Sequence, residues 1–301
     1  MKPPARLMRK RLGILLVALI LVGAGLWLTL KALRETIPRP QVAGAADLYQ
    51  SAKVYRKGSF NGTPIAVRGD YLGHPITYTD KSDWEPASTP DYYDKKTYAD
   101  AIVGFDVVVH WPSLEPHKPS NHMSWLTYRS FKPTEWIGIA AVATLKPELR
   151  PPYMADNGLA RVIKGQMDRV VRWPFRRIES DGREVLTDLR YELQGLDSTL
   201  GLQVAKTVGR DANRPGGGNA THYWTGDLNH IVETAIQCPA GTLPGPASVH
   251  TCIHRFEILE LGAYVSVEYT ENLLPQWRQI ETRARDLILS LRVDPNNSPT
   301  R

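Results

Sequence analysis

Cysteine is scarce: 301 residues contain two, Cys238 and Cys252, with no CxxC-type spacing, which argues against a thiolate zinc site. The usual catalytic signatures are missing as well. There is no G-x-S-x-G elbow, no S-x-x-K, no Walker motif, no G-x-G-x-x-G and no H-E-x-x-H. Each of these places a nucleophile, a phosphate cradle or a metal pair at fixed spacing. "RPGGGN" (214–219) has the glycines of a phosphate loop but not its context, because Thr221, Tyr223 and Trp224 suit a strand where a helix is required. The chain is therefore expected not to be an enzyme, with no metal and no cofactor.

A basic folded domain is also lacking. The net charge is +6, but residues 1–40 hold eight of the 37 Lys and Arg and one acid, Glu35. The remaining 29 basic and 30 acidic residues give −1, so no nucleic-acid partner is expected.

What is present begins with a basic cluster (Lys2, Arg6, Arg9, Lys10, Arg11) followed by an uncharged apolar run, Leu12–Leu30. As a helix its 19 residues span roughly 30 Å, one hydrocarbon core. The cluster keeps residues 1–11 cytoplasmic and exports the bulk of the chain. Val22-Gly23-Ala24 has a small-residue cleavage pattern, but "LWLTL" prolongs the run past a usual signal-peptide core. We read 12–33 as an uncleaved, single-pass signal anchor, with 34–46 a linker. No cysteine lies in or just after the run, which excludes a lipoprotein anchor. Beyond the membrane the surroundings are oxidising, so Cys238 and Cys252 are expected to form a disulfide.

The exported part reads as α+β. "HIVETAIQC" (230–238), "TCIHRFEIL" (251–259) and "AYVSVEYT" (263–270) alternate as strands. The alternation places both cysteines on the apolar side, facing each other across a hairpin. In "HTCIH", His250 and His254 share the Cys252 face, which continues through Phe256 and Ile258, so His254 reads as a core histidine. Leu274, Trp277, Ile280, Ala284, Leu287, Ile288 and Leu291 follow at helical spacing.

An earlier region has a similar order. "FNGTPIAVRGDYL" (60–72) and "SDGREVLTDLRYEL" (180–193) both open on a turn dipeptide, and "GFDVVV" (104–109) answers "GLQVAK" (201–206). A strand at 136–147 precedes an amphipathic stretch at 158–171. The reading is two related lobes of antiparallel sheet, 47–173 and 174–295, each covered by a helix, with a polar tail at 296–301. The other reading is one continuous domain with coincidental spacing.

Two long loops, 110–125 and 210–224, end in His and Trp. Aromatic residues at loop ends either pin the loop or anchor a partner. The candidate recognition surface is Trp111, His117, Asn121, His122, Trp125, Arg214, Asn219, His222 and Tyr223.

"CIHRFEILELGAYVSVEYTENLLPQWRQIETRARDLILSL" (252–291), preceded by Cys238, and "FNGTPIAVRGDYL" resemble membrane-anchored periplasmic immunity proteins of proteobacterial type VI secretion effectors, lipase effectors in particular. The two patches cover about a fifth of the chain. The resemblance implies a protein held in the bacterial inner membrane that binds a secreted toxin, such as a phospholipase, in the periplasm and blocks it. The anchor, the disulfide and the long loops also fit an envelope assembly or sensing protein with no toxin partner.

Overall fold

Turn chemistry starts the architecture. β1 (Tyr55–Phe60) and β2 (Thr63–Arg68) pair antiparallel across Asn61 and Gly62, at φ 50° and 86°. Positive φ at both central residues is the type I′ condition, which Asn-Gly meets with least strain. The computed structural model describes residues 54–80, 90–121, 124, 134–143, 158–172, 176–178, 181–186, 188–212, 219–240 and 250–294. The expected anchor 12–33, the linker 34–46 and the tail 296–301 lie outside these. Among the described residues no helix is long and apolar enough to cross a membrane.

After a 3-10 turn come β3 (Thr77–Tyr78), the short helix α1 (Pro90–Asp94), β4 (Ile102–His110), β5 (Glu115–Pro116) and β6 (Trp136–Ala143). Helix α2 (Gly158–Arg172) leads to a second hairpin, β7 (Arg176–Ile178) and β8 (Glu184–Leu186). Then follow β9 (Arg190–Asp197), β10 (Leu202–Val208), β11 (Ala220–Gly226), β12 (Val232–Pro239), β13 (Thr251–Ile258), β14 (Ala263–Thr270) and helix α3 (Trp277–Ser290). The result is α+β, mostly antiparallel sheet with few helices. Among the described residues one sheet has ten strands, in the order β3-β4-β6-β14-β13-β12-β11-β10-β9 with β5 beside β4.

Both segments read as lobes, 47–173 and 174–295, contribute to this one sheet. β6 of the first pairs with β14 of the second, Ile139 opposite Val267 and Ala141 opposite Val265. Joining those edges puts the apolar side chains of both on one face and merges two half-cores. The strand order differs between the segments too, since β4 pairs directly with β6 whereas β11 stands between β10 and β12. The described residues from 54 to 294 form one compact unit.

One face of the sheet carries the larger core. Phe105, Val107, Ile139, Val265, Val267, Phe256 and Ile258 meet Phe60, Ile65 and Val67 of the first hairpin and Trp277, Ile280, Ala284 and Ile288 of α3. The α3 spacing of three and four residues puts those four on one stripe. The indole of Trp277 donates to the Leu200 carbonyl at 3.0 Å, tying α3 to the β9–β10 turn. On the opposite face α2 covers β12 and touches β9 at Tyr191, with Leu159, Ala160 and Ile163 against Ala205, Trp224, Val232 and Ala235. A helix from the first segment thus covers strands of the second.

Candidate functional site

The loop after β4 turns its aromatic residue inward. Trp111 is 2 % exposed, and its indole donates to Gln276 Oε1 at 2.8 Å. Its backbone N–H donates to the Glu135 carbonyl at 2.6 Å, and the Arg283 guanidinium lies 5.7 Å from its ring centroid. Asn121 staples the same loop: Oδ1 accepts from the Lys118 amide at 2.7 Å, and Nδ2 donates to the Pro116 carbonyl at 3.1 Å. His117 is half-buried between β5 and the 3-10 turn Pro119–Asn121. His122, Trp125 and Arg214 lie outside the described residues.

Asn219 is 6 % exposed and donates to the carbonyls of Asp211 and Ala212, each at 2.8 Å. Those bonds tie the end of β10 to the start of β11. His222, on β11, is 1 % exposed, with Nε2 3.1 Å from the Tyr191 hydroxyl. Burial, then the nearby Arg255 charge, push its imidazole down to about 4. Tyr223 is half-buried and packs on the larger core, and burial raises its phenol.

The described candidates do not share one face of the sheet. Trp111 and Tyr223 pack toward the α3 face, while His222 pairs with Ala205 of the α2 face. The side chains of Trp111, Asn219 and His222 are engaged inside the protein, where they pin the loops. Sequence reading missed their partners, Gln276 and Tyr191. Trp111 and Gln276 are 165 residues apart, and no local pattern links them.

A second cluster lies between the sheet and α3. His254 is fully buried; its Nε2 lies 3.0 Å from Glu281 Oε2, and its Nδ1 lies 3.5 Å from the Tyr269 hydroxyl. Thr234 donates to the same Glu281 oxygen at 2.6 Å. Burial pulls the Glu281 carboxyl up, but hydrogen bonds from His254 and Thr234 outweigh it and hold the group below its ordinary value. Burial likewise pushes the His254 imidazole down, against the pull of Glu281. The pair is a neutral imidazole donating to a carboxylate, sealed from substrate, and its geometry clamps α3 to β12 and β13.

Cys238 and Cys252 are disulfide-bonded and 1 % and 0 % exposed. The register sets Gln237 opposite Ile253, so the two cysteines are direct cross-strand neighbours. His250 pairs with Glu271 at 3.2 Å. Among the described residues no His, Cys, Asp and Glu side chains gather to hold a metal ion. The "RGD" at 68–70 closes on itself, the Arg68 guanidinium donating to both Asp70 oxygens at 2.6 and 2.8 Å.

No known family model matches the chain, and no curated protein matches it in sequence. Two solved structures are similar. Smlt3025, an immunity protein of the Stenotrophomonas maltophilia type IV secretion system, is 16 % identical; the match covers 81 % of this chain and 94 % of that one at a TM-score of 0.43. The Neisseria meningitidis iron-regulated outer membrane lipoprotein FrpD is 10 % identical, over 80 % of this chain and 94 % of that one, at a TM-score of 0.36. Neither similarity is strong enough to assign a fold or a function.

Proposed function

We propose that this chain is an immunity protein, anchored in the inner membrane through residues 12–30, that binds a type VI secretion toxin such as a phospholipase in the periplasm and blocks it. One observation carries the reading. The two sequence patches that resemble such proteins, 60–72 and 252–291, are far apart in the chain but pack as one piece. Asn61 Nδ2 donates to the Leu261 and Gly262 carbonyls at 3.0 and 2.7 Å, and the Ala66 amide donates to the Leu291 carbonyl at 3.0 Å. Phe60, Ile65 and Val67 share a core with Val265, Ile280 and Ile288. The resemblance therefore follows a folded unit and not scattered strands.

Action is by binding, without catalysis. An anchor concentrates the inhibitor at the surface a phospholipase attacks, and the disulfide suits an oxidising compartment. His117, Asn121, His122, Trp125, Arg214 and Tyr223 are the proposed toxin contacts. Trp111 and Asn219 pin the loop ends beside them, and His222 neighbours Tyr223 on β11.

The test is co-expression of the full chain with the toxin encoded beside its gene. A complex that survives co-purification, together with rescued growth, supports the reading. Absence of a complex with undiminished toxicity sinks it. Capture of envelope machinery in place of a toxin would transfer the protein to the assembly or sensing class.

A further inference from the structure

Among the described residues the ten-stranded sheet ends on one side at the two-residue β3 and on the other at the eight-residue β9. Among the described residues β9 pairs only with β10, and it is exposed on both faces along most of its length. An open edge of this length is a template for another strand. Native edges are commonly blunted by charge and bulges, and β9 has both, yet it also exposes Leu193 (70 %) and Leu196 (62 %).

The register sorts its side chains. Leu193 lies opposite Ala205, and Leu196 opposite Gln203, itself the neighbour of Trp224; both leucines are therefore on the α2 face. Tyr191 packs on that same cluster. Arg190 and Glu192 alternate onto the other face, as does Asp197, which lies opposite Leu202. "RYELQGLD" read against itself in the opposite direction is complementary at both levels. Arg190 meets Asp197, Tyr191 meets Leu196 and Glu192 meets Gly195, every pair on a common face.

We propose that β9 pairs antiparallel with β9 of a second copy of this chain, making an isologous dimer with a continuous sheet. The α2 face would gather Tyr191, Leu193 and Leu196 of both copies into one apolar cluster. The other face would carry two reciprocal Arg190–Asp197 ion pairs, exchanging the present contact of Arg190 with Glu192 at 3.2 Å for an intermolecular one. The two-fold axis passes between Leu193 and the bulge residue Gln194, next to Gly195 with φ 81°. Backbone pairing then runs on either side of it, 190–192 against 195–197. The pairing involves neither of the long loops.

Sedimentation equilibrium of the full chain in density-matched detergent tests this. The expected mass is twice 33.7 kDa. Leu193→Lys should weaken the dimer about a hundredfold, the scale of a central interface side chain. Arg190→Asp should weaken it too, and Arg190→Lys, which keeps the charge and leaves the turn bonds of Asp197 to Thr199 and Leu200 in place, should largely retain it. Circular dichroism checks that each variant is folded. A wild-type mass of 33.7 kDa at every concentration overturns the proposal. So does a dimer that Leu193→Lys and Arg190→Asp leave intact. Wild-type monomer combined with loss of toxin binding in Leu193→Lys would also overturn it, and would give the edge to the toxin.

Discussion

His222 shows how much a single side chain can contribute when it is fully enclosed. It was expected on a recognition surface, yet it sits beneath α2 with the Tyr191 hydroxyl as its partner. Its imidazole titrates near 4 in the fold against 6.5 when unfolded. The folded state therefore takes up this proton less readily than the unfolded chain. The group's contribution is complete above about pH 6.5 and falls by up to about 3 kcal/mol toward pH 4. Urea midpoints measured from pH 7 to 4 should decline. In His222→Gln, which keeps a polar partner for Tyr191 and removes the proton site, the decline should be shallower. It should not vanish, because the depressed His254 and Glu281 groups lose stability in the same acid direction.

At the scale of elements, the β12–β13 hairpin needs its clasp. The connection from Pro239 to Thr251 is rich in Pro and Gly, and alone would hold the strands weakly. The disulfide closes a separation of 14 residues between two buried cross-strand positions. In the chain-entropy picture a loop of this length contributes about 3 kcal/mol. Cys238→Ala with Cys252→Ala should lower the unfolding free energy, extrapolated to water from urea titration, by that amount. Thiol labelling of the unreduced, denatured wild type should find no free cysteine; two labels would remove the support that the clasp lends to export. The same strands present His254 and Thr234 to Glu281, so hairpin and helix α3 are coupled through one carboxylate.

Across the whole molecule, the β1–β2 hairpin ties the start of the described fold to its end. Asn61 spans about 200 positions to reach Leu261 and Gly262. Asn61→Ala loses both bonds and strains a φ of 50°, at a cost of about 2 kcal/mol. Asn61→Gly loses the bonds but tolerates the angle, so it should cost about half as much. Thermal unfolding of the two variants separates long-range tethering from turn strain. Equal losses would place the whole effect in the bonds.

Much of the secondary structure was legible because its signals are local. Asn-Gly set the first turn, alternation set β12, β13 and β14, and the stripe from Trp277 to Ile288 set α3. Alternation also paired Cys238 with Cys252, since side chains opposite each other on one face need only the strand period. The joining of β6 to β14 was not legible, because any apolar edge can bury itself against any other and only the assembled core selects the partner. For the same reason α2 is amphipathic in sequence but finds its strands, β9 and β12, in the fold alone. The loop-end residues were chosen by type and place, which says that they matter and not which way they point. Gln276 turns Trp111 inward and Tyr191 holds His222, and such contacts between distant residues exist only once the sheet has closed. The sequence by itself determined the C-terminal strands and helix, the first turn, the disulfide and the resemblance; the tertiary structure decided which side chains were buried and which edge was left open among the described residues.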